Sequence, residues 1–131
     1  MSFERVVLAL NAAFVLLSGA ACIIAPASLA EQAGLSVIPS ALTEIRAFYG
    51  GLTVGVGCFL VWCLRRRELT FAGLLLVGFA VSGAAVARVL GLLIDRAPTR
   101  FHLMNLVVEV VTIAVVAFAL SRQRRVPHAG A

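Results

Sequence analysis

Asn105, Glu109 and Thr112 stand four and then three residues apart in an otherwise aliphatic stretch, a spacing that puts them on one face of a helix. A carboxylate in apolar surroundings either finds a cation or titrates. Two arginines are placed to meet it, because Arg46 and Arg88 each interrupt another apolar stretch. Counted from the centres of those stretches at about 1.5 Å per residue, both arginines lie about 10 Å toward one end, and Glu109 lies about 4 Å toward the same end. The three charges therefore share a layer. Arg46 or Arg88 is the natural partner of Glu109, since an arginine fork can span the offset and bind a carboxylate through two N–H groups. Arg88, Gly91 and Asp95 repeat the four-and-three spacing, and Arg46, Tyr49, Gly50 and Thr53 share a face. The candidate polar cluster is thus Glu44, Arg46, Tyr49, Arg88, Asp95, Asn105 and Glu109.

Three kinds of chemistry suit such a cluster. The charges can neutralise one another and lock helices in register. They can line a small polar cavity whose arginines hold a ligand or an anionic head group. A proton can also pass through Glu109 if its arginine is displaced. A charge near the centre of a bilayer costs at least about 2.5 kcal/mol, so in a membrane these residues face the protein interior and pair.

The elements that carry them point to a membrane. The chain has 131 residues, of which 62% are hydrophobic, and its mean hydropathy is +1.06; soluble domains are roughly half apolar. Crossing about 30 Å of hydrocarbon takes roughly 20 helical residues. Apolar runs of that order cover Val6 to Ala25, Leu42 to Leu64, Leu69 to Ile94 and Leu103 to Leu120. They are continuously apolar rather than alternating, which excludes barrel strands. The expected fold is all-α, a four-transmembrane-helix bundle forming a single domain over residues 1–131, with no room for a soluble one.

Charge gives the orientation. All eleven basic residues are arginine. Arg5, Arg65, Arg66, Arg67, Arg122, Arg124 and Arg125 flank one side of a four-span layout, and Arg96 and Arg100 flank the other. Positive residues favour cytoplasmic loops, which predicts both termini inside, in an inner membrane. These arginines adjoin apolar spans and no basic face is interleaved with aromatics, so nucleic acid is not an expected partner. The tail around Arg122 to Arg125 could contact anionic lipid, topology anchoring explains it equally, and the small residues after Pro127 are expected to be disordered. Span one also has the features of a secretory signal ending at Ser28-Leu29-Ala30, whose cleavage would leave three spans, but its apolar run exceeds the usual 7 to 15 residues. An uncleaved first helix is expected.

Between Pro26 and Pro39 the composition becomes polar. Ser28 and Glu31 have capping-box spacing, and Gly34 would end the helix they start, giving a short interfacial helix between spans one and two. Pro39-Ser40 then offers a stop and a new N-cap, with Glu44 in the first turn of span two. Small residues mark expected helix contacts: Gly50, Gly51, Gly55 and Gly57 on span two, where Gly51-x-x-x-Gly55 and the Gly50, Thr53, Gly57 face both allow close approach, and Gly83, Ala87 and Gly91 on span three. They suit packing within the bundle, or a homo-oligomer or partner membrane protein. Cys22, Cys58 and Cys63 form no Cys-x-x-Cys motif and read as packing residues.

The run Glu44-Ile45-Arg46-Ala47-Phe48-Tyr49-Gly50-Gly51, with Arg88 followed by Asp95 and Pro98, resembles the bacterial family catalogued as domain of unknown function 4345. The resemblance covers most of the chain and implies a small four-span layout. It implies no activity. It marks Glu44, Arg46, Tyr49, Gly50, Gly51, Arg88 and Asp95 as positions to test. It also implies a glycine after the aspartate, where this chain has Arg96.

Other classes fit poorly. A small multidrug exporter would carry an acidic residue within span one, which has only Asn11 as a strongly polar interior group. His102 and His128 fall in an outer loop and the tail without ligand spacing, so no metal site is expected. No catalytic triad or phosphate-binding glycine loop occurs, and no cofactor is implied. The expected function is a non-enzymatic binding or accessory module for a ligand, lipid or partner. The alternative is a small proton-coupled transporter working as a homo-oligomer.

Overall fold

The computed structural model describes residues 1–124, the side chain of Arg124 excepted. Arg125 and the tail after Pro127 lie outside the described residues. Helix α1 covers Phe3–Ile24 and α2 covers Pro26–Gln32. The second span is continuous but not uniform: α3, Pro39–Glu44, passes into a π-helix, Ile45–Leu52, and then into α4, Thr53–Arg65. A 3-10 turn, Arg67–Leu69, leads into α5, Thr70–Asp95, and α6 covers Arg100–Arg124. Four of these helical rods are long and apolar enough to cross a membrane. The shortest has 22 residues, about 33 Å at about 1.5 Å each, against about 30 Å of hydrocarbon. Phe14, Leu17, Ile24, Phe79, Leu93 and Ile94 point outward, which suits lipid as the surrounding solvent. The fold is all-α, a multi-pass four-helix bundle with a short helix between the first two spans.

Neighbouring rods run antiparallel, in two close pairs. Span one packs along span two and α5 along α6. In the first pair the backbones nearly touch. A methyl group on Gly19 would lie 2.9 Å from the Val54 nitrogen and 3.0 Å from the Gly50 oxygen, and one on Gly50 would lie 2.5 Å from Ile23 Cγ1. In lipid no hydrophobic drive pushes helices together, so close approach and dispersion hold such a pair. Among the expected packing glycines, Gly50 and Gly57 do this and the others do not. Gly55 and Gly83 have nothing within 4 Å, Gly51 meets only its own helix at the Arg46 oxygen, 3.7 Å away, and Gly91 meets only Asp95 Oδ2, 3.9 Å away. Gly57 packs as its shared face with Gly50 predicts, since a methyl there would strike Leu16 at 2.6 Å, and Gly19 and Gly73 join it, a methyl on Gly73 meeting Leu8 at 3.0 Å.

The two pairs join at the arginine-bearing end. Val7, Leu8 and Ala12 of α1 bury there with Leu60, Cys63, Leu74, Val77, Val116 and Ala119. Span one thus supplies a third of the core. Arg5 Nη2 donates to the Leu64 carbonyl at 2.7 Å, Arg122 lies 3.9 Å from Glu4, and its guanidinium sits 5.7 Å from the ring centroids of Phe3 and Phe118. Toward the other end, buried apolar side chains thin out to Ala30 and Ala85, and cavities open between the helices.

The segment joining spans one and two covers that end. Pro26 sits at the first position of α2, where its missing N–H costs nothing. Ser28 is therefore inside the helix rather than its cap, and accepts from Gln32 Nε2 at 3.4 Å. Gly34 ends α2 as expected, with φ +76°: its N–H donates to Glu31 and that of Leu35 to Ala30, the paired bonds that close a helix through a left-handed residue. Pro39 likewise takes the first position of α3, so the cap is Ile38, Ser40 makes no cap bond, and Glu44 closes α3 instead of sitting in its first turn.

Arg96 ends α5 with φ 52°, donating its N–H to Leu92. This is the place where the family resemblance implies glycine. A side chain in the left-handed region costs roughly 1–2 kcal/mol, partly offset by the extra chain entropy glycine loses on folding. Arg96→Gly is therefore expected to raise stability by about 0.5 kcal/mol, read as an upward shift of the unfolding midpoint in detergent; a fall would show that the Arg96 side chain contributes more than its backbone costs.

Candidate functional site

The π-helix decides where the polar residues of span two go. Its wider turn breaks the 3.6-residue periodicity, so side chains after Glu44 leave the face that α-helical counting assigns them. The motif from Ile45 to Gly51 lies wholly on it. Gly50 turns in against Ile23. Tyr49 is 65% exposed at the cavity mouth. Arg46 is exposed and donates from Nε to the Ile23 carbonyl at 3.3 Å. It is not the partner of Glu109.

Arg88 is. On α5 and α6 the α-helical spacing holds, and the two residues meet across the pair. Arg88 Nε lies 3.1 Å from both Glu109 oxygens and Nη2 lies 2.8 Å from Oε1, a charge-assisted, two-nitrogen clasp. The side chains retain 24% and 12% of their exposure. Asn105 lies one turn away on α6 but donates to the Phe101 carbonyl of its own helix at 2.8 Å. Asp95 and Glu44 are exposed. The predicted seven-residue layer thus resolves into one ion pair, with Tyr49 and Asp95 near it as lining of adjoining hollows and Glu44, Arg46 and Asn105 making no side-chain hydrogen bond to it.

Two hollows adjoin that pair. The larger, about 380 Å³, is walled by Leu29, Ala30, Ala33 and Leu35 from α2 and its exit, Cys22 of α1, Ile45 and Tyr49 of the π-helix, Arg88, and Phe101 with His102 of α6. Its size falls in the roughly 300–1,000 Å³ range of small-molecule sites. The smaller, about 220 Å³, is lined by Arg88, Gly91, Leu92, Asp95, Ala97 and His102. Arg88 and His102 belong to both. Glu44 lies instead on an outward groove with Phe48 and Leu52, which shares Leu35, Ile45 and Tyr49 with the larger cavity.

His102 is the residue that sequence reasoning missed. It is half-buried rather than solvated in a loop, and its Nδ1 is shielded from solvent with no hydrogen-bond partner among the described residues. The signal was present in Thr99, whose Oγ1 accepts the His102 backbone N–H at 3.3 Å. A threonine three residues ahead has N-cap spacing and begins the helix at Arg100, which puts His102 in its first turn. The wall from α2 had no comparable signal, since alanine and leucine side chains there look like those of any interfacial helix.

The cavity can do limited chemistry. Its wall combines apolar side chains with hydrogen-bonding groups from Tyr49, Arg88 and His102, which suits a molecule that is part polar and part apolar. Among the described residues, no three histidine, cysteine or acidic side chains gather as metal ligands would. Residues 3–120 match a family described as Domain of unknown function (DUF4345). Comparison with curated proteins and with solved structures finds no match.

Proposed function

Because the chain belongs to the DUF4345 family, whose description assigns no activity, function has to be read from the site, and we propose that the protein binds a small amphiphile in the cavity beside Arg88. The observation that carries this is the composition of its wall. The polar groups of Tyr49, Arg88 and His102 share a hollow of about 380 Å³ with Leu29, Leu35, Ile45 and Phe101. Structural glue would need the Arg88–Glu109 pair but no cavity. The protein acts by binding, as an accessory module, and not by catalysing a reaction.

Orientation follows from the arginines. Arg5, Arg65, Arg66, Arg67 and Arg122 at the core-bearing end favour a cytoplasmic placement of both termini in a bacterial inner membrane. The cavity then opens in the outer half. Retention of span one is supported by its share of the core and by its contacts at Gly19 and Gly50. The outward-facing Gly51 and Gly55 leave room for a second copy or a partner helix without requiring one. The transporter alternative asks Glu109 to release a proton in transit, and the two-nitrogen clasp by Arg88 does not favour it.

A photoreactive monoacylglycerol carrying a mid-chain diazirine tests the reading in nanodiscs. Labels are expected on the stretch from Leu29 to Leu35 and on Ile45 to Tyr49. Ala33→Trp fills the cavity without touching a charge and is expected to cut labelling about tenfold, since displaced contacts and lost room each weaken binding. Equal labelling of wild type and Ala33→Trp would sink the proposal.

A further inference from the structure

Resting on the amphiphile reading above, we infer that the cavity selects an uncharged head group bearing a hydrogen-bond acceptor, an ester, amide or ketone carbonyl, and rejects the anionic head that its arginine first suggests. The positive charge of Arg88 is already committed. Nε and Nη2 hold both oxygens of Glu109 at 2.8 to 3.1 Å. An anion placed against Arg88 would sit beside a carboxylate whose side chain is 12% exposed. Like charges so close, where lipid and protein leave little water to screen them, repel strongly. Asp95, across Arg88 in the smaller hollow, adds a second negative group.

A cationic head fares no better. The larger cavity has one fully charged residue in its wall, Arg88, and no carboxylate. A cation entering there would meet the guanidinium first, with Glu109 behind it. What the wall does offer is donors. An arginine has five N–H groups in a fixed fork, and the clasp on Glu109 leaves Nη1 of Arg88 without a partner among the described residues. The Tyr49 hydroxyl at the rim makes no hydrogen bond among them either. A carbonyl oxygen accepts from such donors without bringing charge, and its apolar chain lies along Leu29, Leu35 and Phe101.

Three competitors with the same oleyl-type chain decide the matter against the photoreactive monoacylglycerol in zwitterionic nanodiscs holding the full chain. These are monoolein, oleyl sulfate and oleyltrimethylammonium, the last two permanently charged. Monoolein is expected to compete about tenfold better than either. Glu109→Gln frees the arginine charge, and in that variant oleyl sulfate is expected to become the strongest competitor. The wild-type ranking stands alone if the variant fails to accumulate. Oleyl sulfate or oleyltrimethylammonium matching or exceeding monoolein in the wild type overturns the inference while leaving an amphiphile site in place. If the photoprobe labels no cavity residue at all, the underlying reading falls with it.

Discussion

Arg88→Ala is expected to cost about 3 kcal/mol of stability, because removing one member of a buried ion pair strands the other without its neutralising partner. Glu109 would be left with 12% of its side-chain exposure and with no other cation among the described side chains that reaches it, since Arg46 is bound to the Ile23 carbonyl. The stranded carboxylate is then left in apolar surroundings without a counter-charge, which spends folding free energy. Replacing both partners with apolar residues of similar size behaves differently. Arg88→Met with Glu109→Leu removes the charge along with its need for a partner, and is expected to lie within about 1 kcal/mol of the wild type. Equilibrium unfolding in detergent on the two single variants and the double variant gives the coupling directly. Single variants that each lose less than about 1 kcal/mol would show that water or lipid already neutralises the pair.

Gly19→Leu is the second large effect. A methyl there would already lie 2.9 Å from one backbone atom and 3.0 Å from another, so no side-chain rotation relieves the clash and the helices of the first pair must part. Overpacking typically costs about 1–3 kcal/mol and sometimes more; with backbone as the obstacle, about 3 kcal/mol or greater is expected. Gly55→Leu is the control. With nothing within 4 Å of a methyl at that position, it is expected to change stability by less than about 0.5 kcal/mol. Equal losses in the two variants would mean that Gly55 has a neighbour in the membrane, such as a second copy of the chain.

The pattern of glycines also shows where sequence reasoning stops. Gly51 and Gly55 have the spacing associated with helix contacts, yet they face outward, while Gly19, which has no small residue four positions away on the side that matters, meets span two. Spacing reports that close approach is possible and not where the neighbour stands. Spans were legible because uninterrupted apolar runs of that length have few other uses, though each observed helix extends past the apolar run by a few polar residues. Arg88 and Glu109 were legible as a pair because α5 and α6 are regular, so depth counted along the axis translated into contact. Arg46 was not, because its segment, Ile45–Leu52, packs along span one, where Arg46 donates to the Ile23 carbonyl, and local composition does not announce which helices are neighbours. His102 was obscured by starting span four at Leu103 rather than at the Thr99 cap.

These particulars change what the polar layer means. Charge counting alone joins seven residues on three helices; the folded chain keeps one neutral pair and surrounds it with cavity wall from a fourth element, α2. A neutral pair at the edge of an amphiphilic hollow can serve both as an anchor for two helices and as a ligand contact. The two roles separate in the Arg88→Met, Glu109→Leu double variant, which is expected to keep the fold and removes the donors of Arg88, leaving Tyr49 and His102 in the wall.

The most direct measurement is therefore the affinity of that folded double variant for the photoreactive monoacylglycerol, set against the wild type in the same nanodiscs. Loss of about tenfold or more in affinity, with unfolding unchanged, is the result that a binding site beside Arg88 requires. Undiminished labelling of Leu29 to Leu35 in the double variant would contradict it and leave the pair as a structural fastener alone.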